Sequence, residues 1–437
     1  MASSTVLIAL LQSQGAASST QIQAALGISQ PTASRLLKQL DNEVMVCGQG
    51  KRTRYALAAP IGHASAQQPI WLTDESGASK RVGTLSWLAH SQLHVQAEGF
   101  DAFFQARSQA LLPWYLSPLR AQGFLGRVLA QQLNALGMPA NPDTWDTQFA
   151  LMAALHTHDA PGALLLGTDS AATPPLPSRL PADNPASVLD ALAANVAQTL
   201  PVGSSAAGEQ PKFLALNSRQ EPVLVKFSPP VGTPYGDRWH DLLCAEVLCA
   251  QVLQAHGFAA AQSHILQSDS RTYLISKRFD RVGAQGRRHV VAMGAAHAGF
   301  VKEPYVNWAT TADALVRRDK LGAPEAKQLH ALLQFGRLIG NTDMHSGNAS
   351  LFVAGTSLKE IAHGRLSLAP VYDMLPMRWK PDLMLGMPDY APFEVDLSRA
   401  DASTRAMAQD FWQRLSVEPG LSQALQAVAN TMAGRLC

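Results

Sequence analysis

One stretch constrains this chain more than any other: Leu338-Ile339-Gly340-Asn341-Thr342-Asp343-Met344-His345-Ser346-Gly347-Asn348-Ala349-Ser350-Leu351-Phe352. Leu329, Leu332, Leu333 and Gly336 recur at helical spacing, so an apolar helix runs up to Gly340. A short apolar strand begins at Ala349. Asp343, His345 and Asn348 are therefore confined to one tight polar loop between two buried elements. Thirty residues after Asp343, the run Leu368-Ala369-Pro370-Val371 ends in Tyr372-Asp373, which brings a second carboxylate.

An Asp, an Asn five residues later and a second Asp beyond a hairpin form the set that phosphoryl transfer from a Mg-nucleotide needs. One carboxylate orients the attacking hydroxyl, while the amide and the other carboxylate hold the metal. The rest of the chain must supply groups for the phosphates.

At 437 residues the chain exceeds what one core usually supports, so several domains are expected. A hydrophobic content of 47% with 16% charged residues excludes a disordered chain, and a net charge of +2 implies neither a nucleic-acid nor a membrane partner by itself. Cys47, Cys244, Cys249 and Cys437 form no Cys-x-x-Cys pair and no zinc-finger spacing, which fits reduced thiols. No apolar run reaches the roughly 18 residues of a membrane span, and Val6 to Leu11 lacks the basic flank of a signal peptide. A cytoplasmic protein with no membrane partner is expected.

Residues 1–58 read as a winged helix-turn-helix. Val6 to Leu11 suit a first helix, and Ser19-Thr20 start a second with Ile22, Ala25 and Leu26 inward, ended by Gly27. Ser29 caps a third helix with Pro31 in its first turn and Ala33, Leu36, Leu37 and Leu40 inward. Gln30, Thr32, Ser34, Arg35 and Lys38 are left outward to read a major groove. Two strands, Val44 to Val46 and Arg54 to Leu57, flank a basic wing in which Lys51, Arg52 and Arg54 would meet phosphates. Five basic residues against two acidic ones give this segment a net charge of +3. A small helical domain for protein contacts is the alternative.

Ala58 to Gln68 reads as a linker. Residues 69–167 suggest a small antiparallel sheet (Ile70 to Leu72, Arg81 to Leu85, Gly162 to Leu166) with helices around Leu125 to Leu136 and Trp145 to Leu155. His156 and His158 lack a ligand set there. Residues 168–186, rich in Pro, Ala, Thr and Ser, read as a second connector.

Residues 187–280 suggest a nucleotide lobe and 281–437 a mainly helical one. In Pro201 to Phe213, small residues let backbone N–H groups approach phosphates, and Lys212 adds positive charge. It is not a Walker A loop, and such a loop alone is more often an ordinary hairpin than a phosphate cradle; its position before a strand pair favours the cradle. Lys226 follows in the strand Val223 to Phe227, where a kinase carries its phosphate-contacting lysine, and Glu246 in the next helix is placed to pair with it. Lys277-Arg278-Phe279 would cross between lobes and contact adenine through the backbone.

Together these residues resemble the HipA family of bacterial serine/threonine kinases, the toxins of toxin–antitoxin systems. The matching pieces are Arg81 to Leu85, Gly208-Glu209-Gln210-Pro211-Lys212, Lys226, Arg278-Phe279-Asp280-Arg281, Asp343 to Asn348 and Tyr372-Asp373. The fused N-terminal unit resembles the YjjJ-like branch. The resemblance implies an α+β, two-lobed kinase fold with ATP and Mg²⁺ as cofactors. Asp343 would be the catalytic carboxylate, with Asn348 and Asp373 holding Mg²⁺. Ala207 to Lys212, Lys226, Lys277 to Phe279, His345 and Tyr372 would surround ATP. Ser205, or Ser204 beside it, matches the family's autophosphorylated serine. The resemblance further implies a protein Ser/Thr substrate, for which aminoacyl-tRNA synthetases are known family targets, and an antitoxin partner. A helix-turn-helix in the same chain departs from the usual separate antitoxin.

Two other readings are weighed. A transcriptional regulator with a ligand-sensing or inactive kinase-like domain would be expected to lose one of Lys226, Asp343, Asn348 or Asp373, and all four are present. A small-molecule kinase resembling the aminoglycoside phosphotransferases shares the Asp-x-His-x-x-Asn loop, but not the Gly-Glu-Gln-Pro-Lys loop or the N-terminal unit.

Overall fold

The structure is a computed structural model that describes residues 3–40, 43–107, 110–167, 177–199, 210–382 and 386–436. Ser204, Ser205, Ala207, Gly208 and Glu209 therefore lie outside the described residues.

Three helices, α1 (Ser4–Gln14), α2 (Ser19–Leu26) and α3 (Gln30–Gln39), precede a hairpin of β1 (Val44–Cys47) and β2 (Arg54–Leu57). Ser18 and Gln21 form a reciprocal capping box on α2, and Gly27, at φ 62°, ends it in the left-handed region. Leu7, Leu11, Ile22, Ala33, Leu36 and Leu37 make its core. Ala25 is exposed rather than inward, and Leu26 only half-buried. Ala17 bridges Tyr55 and adds a third-strand contact along the outer edge of β2.

Residues 58–66 are not a free linker. Ala58 pairs with Leu88, the Ala59 N–H donates to the Trp87 carbonyl at 3.0 Å, and Ile61 is buried. Their small side chains let the backbone lie against a sheet, which composition alone cannot distinguish from a solvated connector.

That sheet has the order β6-β5-β4-β3-β7: β3 (Gln67–Thr73), β4 (Ser79–Leu88), β5 (Gln92–Ala97), β6 (Phe100–Gln105) and β7 (Leu164–Leu166). Between β6 and β7 come α4 (Gly123–Leu133) and α5 (Thr147–His156). After α6 (Pro185–Thr199), a second sheet runs β10-β11-β9-β8, from β8 (Lys212–Leu216), β9 (Pro222–Phe227), β10 (Ser263–Gln267) and β11 (Thr272–Lys277). The long α7 (Pro234–Ala255) links β9 to β10.

Strand alternation sorts the faces of this sheet. Phe213, Val223, Val225, Phe227, Tyr273 and Ile275 form a core with Leu189 and Ala193 of α6. The antiparallel register places Lys212 opposite Lys226 and Leu274 opposite Lys226, so these three share the other face. There Leu274 packs against Leu243 and Val247 of α7.

Short strands β12 (Arg281–Val282) and β13 (Gly286–Arg287) lead to β14 (Val290–Ala292), then to helices α8 (Met293–Phe300), α9 (Trp308–Val316) and α10 (Ala323–Leu338). Strands β15 (Ser350–Ala354) and β16 (Arg365–Leu368) flank α11 (Leu358–His363), and α12 (Ala402–Val417) and α13 (Gln423–Gly434) close the chain. Leu329, Leu332, Leu333, Phe335 and Gly336 of α10 are all buried, which confirms the expected inward stripe. No helix among the described residues is long and apolar enough to cross a membrane.

Candidate active site

Gly340, at φ 74°, turns the chain out of α10. A Cβ there would lie 2.8 Å from the Phe393 ring, so the close approach also favours glycine. The loop that follows is built around buried Asn341. Its Oδ1 accepts from the Asp343 N–H at 2.9 Å, while its Nδ2 donates to Met374 Sδ at 3.3 Å and, over a long 3.5 Å, to the Asp373 carbonyl. Asn341 thus links the two carboxylate-bearing segments, a role that motif spacing does not reveal.

Asn348 donates through Nδ2 to the Asp343 carbonyl at 2.7 Å and to Asp343 Oδ2 at 3.4 Å. With the amide nitrogen committed, Oδ1 is left as a metal-type oxygen. His345 Nδ1 accepts from the Gly347 N–H at 2.9 Å, so the neutral ring carries its proton on Nε2, 3.9 Å from Asp343 Oδ1. Met293 N–H donates to the Ala349 carbonyl and Gly294 N–H to the Ser346 carbonyl, pinning α8 under the loop. A Cβ on Gly294 would stand 2.7 Å from Ser346 Oγ.

Asp373 follows β16 with φ 52°, a left-handed conformation that an L residue holds at a cost of about 1 kcal/mol or more. Its Oδ1 is bonded by Lys226, whose Nζ also donates to Glu246 Oε1 and Oε2 at 2.6 and 2.7 Å. Lys226 and Glu246 are buried and Asp373 is half-buried. Burial disfavours the Lys226 ammonium, but the two carboxylates override it and hold the lysine charged. One ammonium cannot fully serve two acids. Burial is outweighed at Asp373, whose carboxyl is held below its usual range by Lys226, whereas burial and repulsion from Asp373 raise Glu246. Glu246 is therefore the acid of the pair that protonates first.

Lys212 faces the same side as Lys226 and lowers the Asp373 carboxyl electrostatically. Gln210 Nε2 donates to the Phe227 carbonyl at 2.6 Å and the Phe227 N–H donates to the Pro211 carbonyl at 3.1 Å, so the end of the loop is tied beside the Lys226 strand. Gln210 Oε1 is buried with no hydrogen-bond partner among the described residues.

The crossing segment differs residue by residue. Lys277 is exposed and its Nζ donates to Glu221. Phe279 stacks at 5.6 Å on Tyr372 and meets Phe352 edge-on at 6.0 Å. The Tyr372 hydroxyl donates to the Gly347 carbonyl at 2.7 Å and contacts Ser350 Oγ, so it braces the Asp343 to Asn348 loop. The Arg278 side chain turns away into a buried cluster with Asp280, Asp159 and Arg281. Any contact of Arg278 with a nucleotide must therefore come from its backbone. Gly162 N–H and Arg281 both donate to Asp280 Oδ2, which locks the middle sheet onto the crossing segment. This cluster was missed from sequence, because Asp159 lies more than a hundred residues upstream.

Gln30, Ser34, Arg35, Lys38, Lys51 and Arg52 are exposed on the N-terminal unit, with Thr32 and Arg54 half-buried. Pro31, Ser34, Arg35, Lys38 and Gln39 border one shallow concavity.

Comparison with known proteins agrees with this geometry. Residues 204–435 match the HipA-like C-terminal domain, and residues 64–173 match the YjjJ-like toxin, middle domain. Toxin YjjJ of Escherichia coli (strain K12) is 33% identical over 434 residues, covering 96% of this chain and 94% of the relative. The solved structure of Shewanella oneidensis MR-1 HipA, in a complex with HipB and operator DNA, covers 84% of this chain and 95% of its own at a TM-score of 0.57 and 17% identity. That likeness establishes an α+β, HipA-like fold. The chain belongs to the HipA-like family, as a homologue of the YjjJ toxin.

Proposed function

We propose that the chain is an ATP- and Mg-dependent serine/threonine protein kinase with its own DNA-binding module. The observation that carries this reading is that five residues scattered over the 148 positions from 226 to 373 are tied into one hydrogen-bonded set: Lys226 to Glu246 and Asp373, Asn348 to Asp343, and Asn341 between the Asp343 and Asp373 segments, the groups that phosphoryl transfer needs. Mg²⁺ fits the donor set. It takes hard oxygens, keeps several waters and needs only one or two protein ligands besides phosphate. Asn348 Oδ1 and the Asp373 oxygen not bonded to Lys226 would hold it, and the metal would supply charge neutralisation at the phosphates.

The acceptor hydroxyl oxygen attacks the γ-phosphorus, the bond from that phosphorus to the β,γ-bridging oxygen breaks, and ADP leaves. Asp343 orients the hydroxyl and takes its proton. Lys226 and Lys212 offset phosphate charge, with Glu246 keeping Lys226 in place. Residues 207–212 cradle the phosphates through their backbone, and the segment Lys277 to Phe279 borders the adenine. Ser205, or Ser204, is the expected acceptor of self-phosphorylation.

The N-terminal unit, residues 1–58, is read as a winged helix-turn-helix. Its three helices, the hairpin and the Ala17 to Tyr55 bridge support that reading, as does the exposure of Gln30, Ser34, Arg35 and Lys38 along α3. Duplex DNA is the expected partner, and an antitoxin partner follows from the relatives. Residues 69–167, 187–280 and 281–437 then serve as middle domain, nucleotide lobe and catalytic lobe.

The test is Mg-ATP turnover by wild type and Asp343→Ala, together with a nucleotide titration of both. Transfer by the wild type alone, with binding kept in both, supports the kinase. Binding without transfer in either would make the chain a DNA-binding regulator with a nucleotide-sensing domain.

A further inference from the structure

A cleft of about 1120 Å³ opens beside the catalytic loop and reaches well past the groups assigned to the nucleotide. Its near wall is the loop itself: His345, Ser346 and Gly347, with Tyr372 behind them. Its floor is α8, where Gly294, Ala295, Ala298 and Gly299 keep side-chain bulk low. The far wall comes from the middle domain and is apolar, with Phe103, Trp114, Leu125 and Leu129. Such a size and lining suit an apolar ligand segment with a few polar anchors.

Charge narrows the choice. Asp159 is the sole carboxylate lining the cleft among the described residues, and it is consumed by Arg278 and Arg281, each at 2.7 Å. Arg120 lines the same cleft. Among the described residues, its buried Nε has no hydrogen-bond partner and no carboxylate pairs with its guanidinium. A desolvated donor left unpaired is costly, and a guanidinium is matched best by a carboxylate.

We propose that this cleft receives the protein segment that carries the acceptor hydroxyl, and that Arg120 selects an acidic side chain within that segment. The inference rests on the kinase reading and deepens it. It assigns the middle domain the substrate-selecting wall, so the apolar residues of the segment lie on α4 while the acceptor reaches His345 and Asp343.

The test uses the full chain with Mg-ATP and a serine peptide library in which each flanking position is varied between Asp or Glu, Lys and Ala. The wild type should favour an acidic residue at one position by about tenfold in kcat/KM over the lysine peptide. In Arg120→Gln that ratio should fall close to one, and in Arg120→Glu it should invert. A ratio is insensitive to a fraction of misfolded variant. The same preference in wild type and both variants overturns the proposal, as does equal use of acidic and basic peptides by the wild type. If the wild type phosphorylates itself but no library peptide, the cleft assignment falls and the kinase reading stands. If it phosphorylates neither, both fall.

Discussion

Lys226 donates to both carboxylate oxygens of Glu246, twenty residues further along the chain, while also holding Asp373. Replacing it with methionine leaves two carboxylates facing each other without their cation. Lys226→Met should cost about 3 kcal/mol of stability in chemical denaturation, in line with breaking a buried pair. It should also abolish measurable phosphate transfer, whereas Glu246→Gln, which leaves Lys226 paired with Asp373, should keep more of both.

Asn341 joins the segments that carry Asp343 and Asp373. In Asn341→Ala, the Asp343 N–H loses its acceptor and the loop can drift. A shift of about 1 Å in a reacting group costs on the order of 10²-fold in rate, so kcat should fall by about that factor. KM for ATP should change less than kcat, because Asn341 touches neither Lys226 nor Lys212 and its bond to the Asp373 carbonyl is the long one at 3.5 Å. Asn341→Asp keeps the acceptor for that N–H and should retain more activity than the alanine variant. Steady-state kinetics of the three proteins decide it.

Much of this site was legible in the sequence because it is local. The Asp343 to Asn348 loop needs only a helix that ends at Gly340 and a strand that begins at Ala349, and both follow from apolar spacing. The Lys226 to Glu246 pair follows from one strand and the helix after it. What could not be read is long-range. Arg278 stands among crossing-segment residues but spends its guanidinium on Asp159 and Asp280. The bond from the Tyr372 hydroxyl to the Gly347 carbonyl joins two segments 25 residues apart, which motif spacing does not reveal. The stretch 58–66 has linker composition, and only the neighbouring strand β4 reveals that it is docked.

His289 makes stability depend on pH. It is buried between the middle domain and β14, with Nδ1 accepting from the Ala163 N–H at 3.3 Å and Nε2 donating to the Tyr115 carbonyl at 3.0 Å. Burial pulls it down to about 4. The folded state resists a proton that the unfolded chain accepts near pH 6.5, so its contribution is complete above that pH and is lost as the pH falls towards 4. The loss should be on the order of 3 kcal/mol. Asp280, where Arg278 and Arg281 overcome the opposing effect of burial, adds a further loss at still lower pH. Denaturation profiles from pH 7 to 4 should be steeper for wild type than for His289→Gln, and parallel profiles would contradict the assignment.

Arg35 and Lys38 lie exposed on α3 with no ion-pair partner among the described residues. The double variant Arg35→Ala with Lys38→Ala should weaken duplex binding in a gel-shift titration. If both reach phosphates, the salt dependence should flatten by about two counterions. Undiminished affinity would show that α3 is not the DNA-reading helix.

The central claim is that Asp343 serves phosphoryl transfer. Intact mass and peptide mapping of the full chain after incubation with Mg-ATP test it most directly. The account predicts one phosphate on Ser205 or Ser204 in the wild type and none in Asp343→Ala. Equal phosphate on both proteins, or none on the wild type or on any added protein substrate, would contradict it.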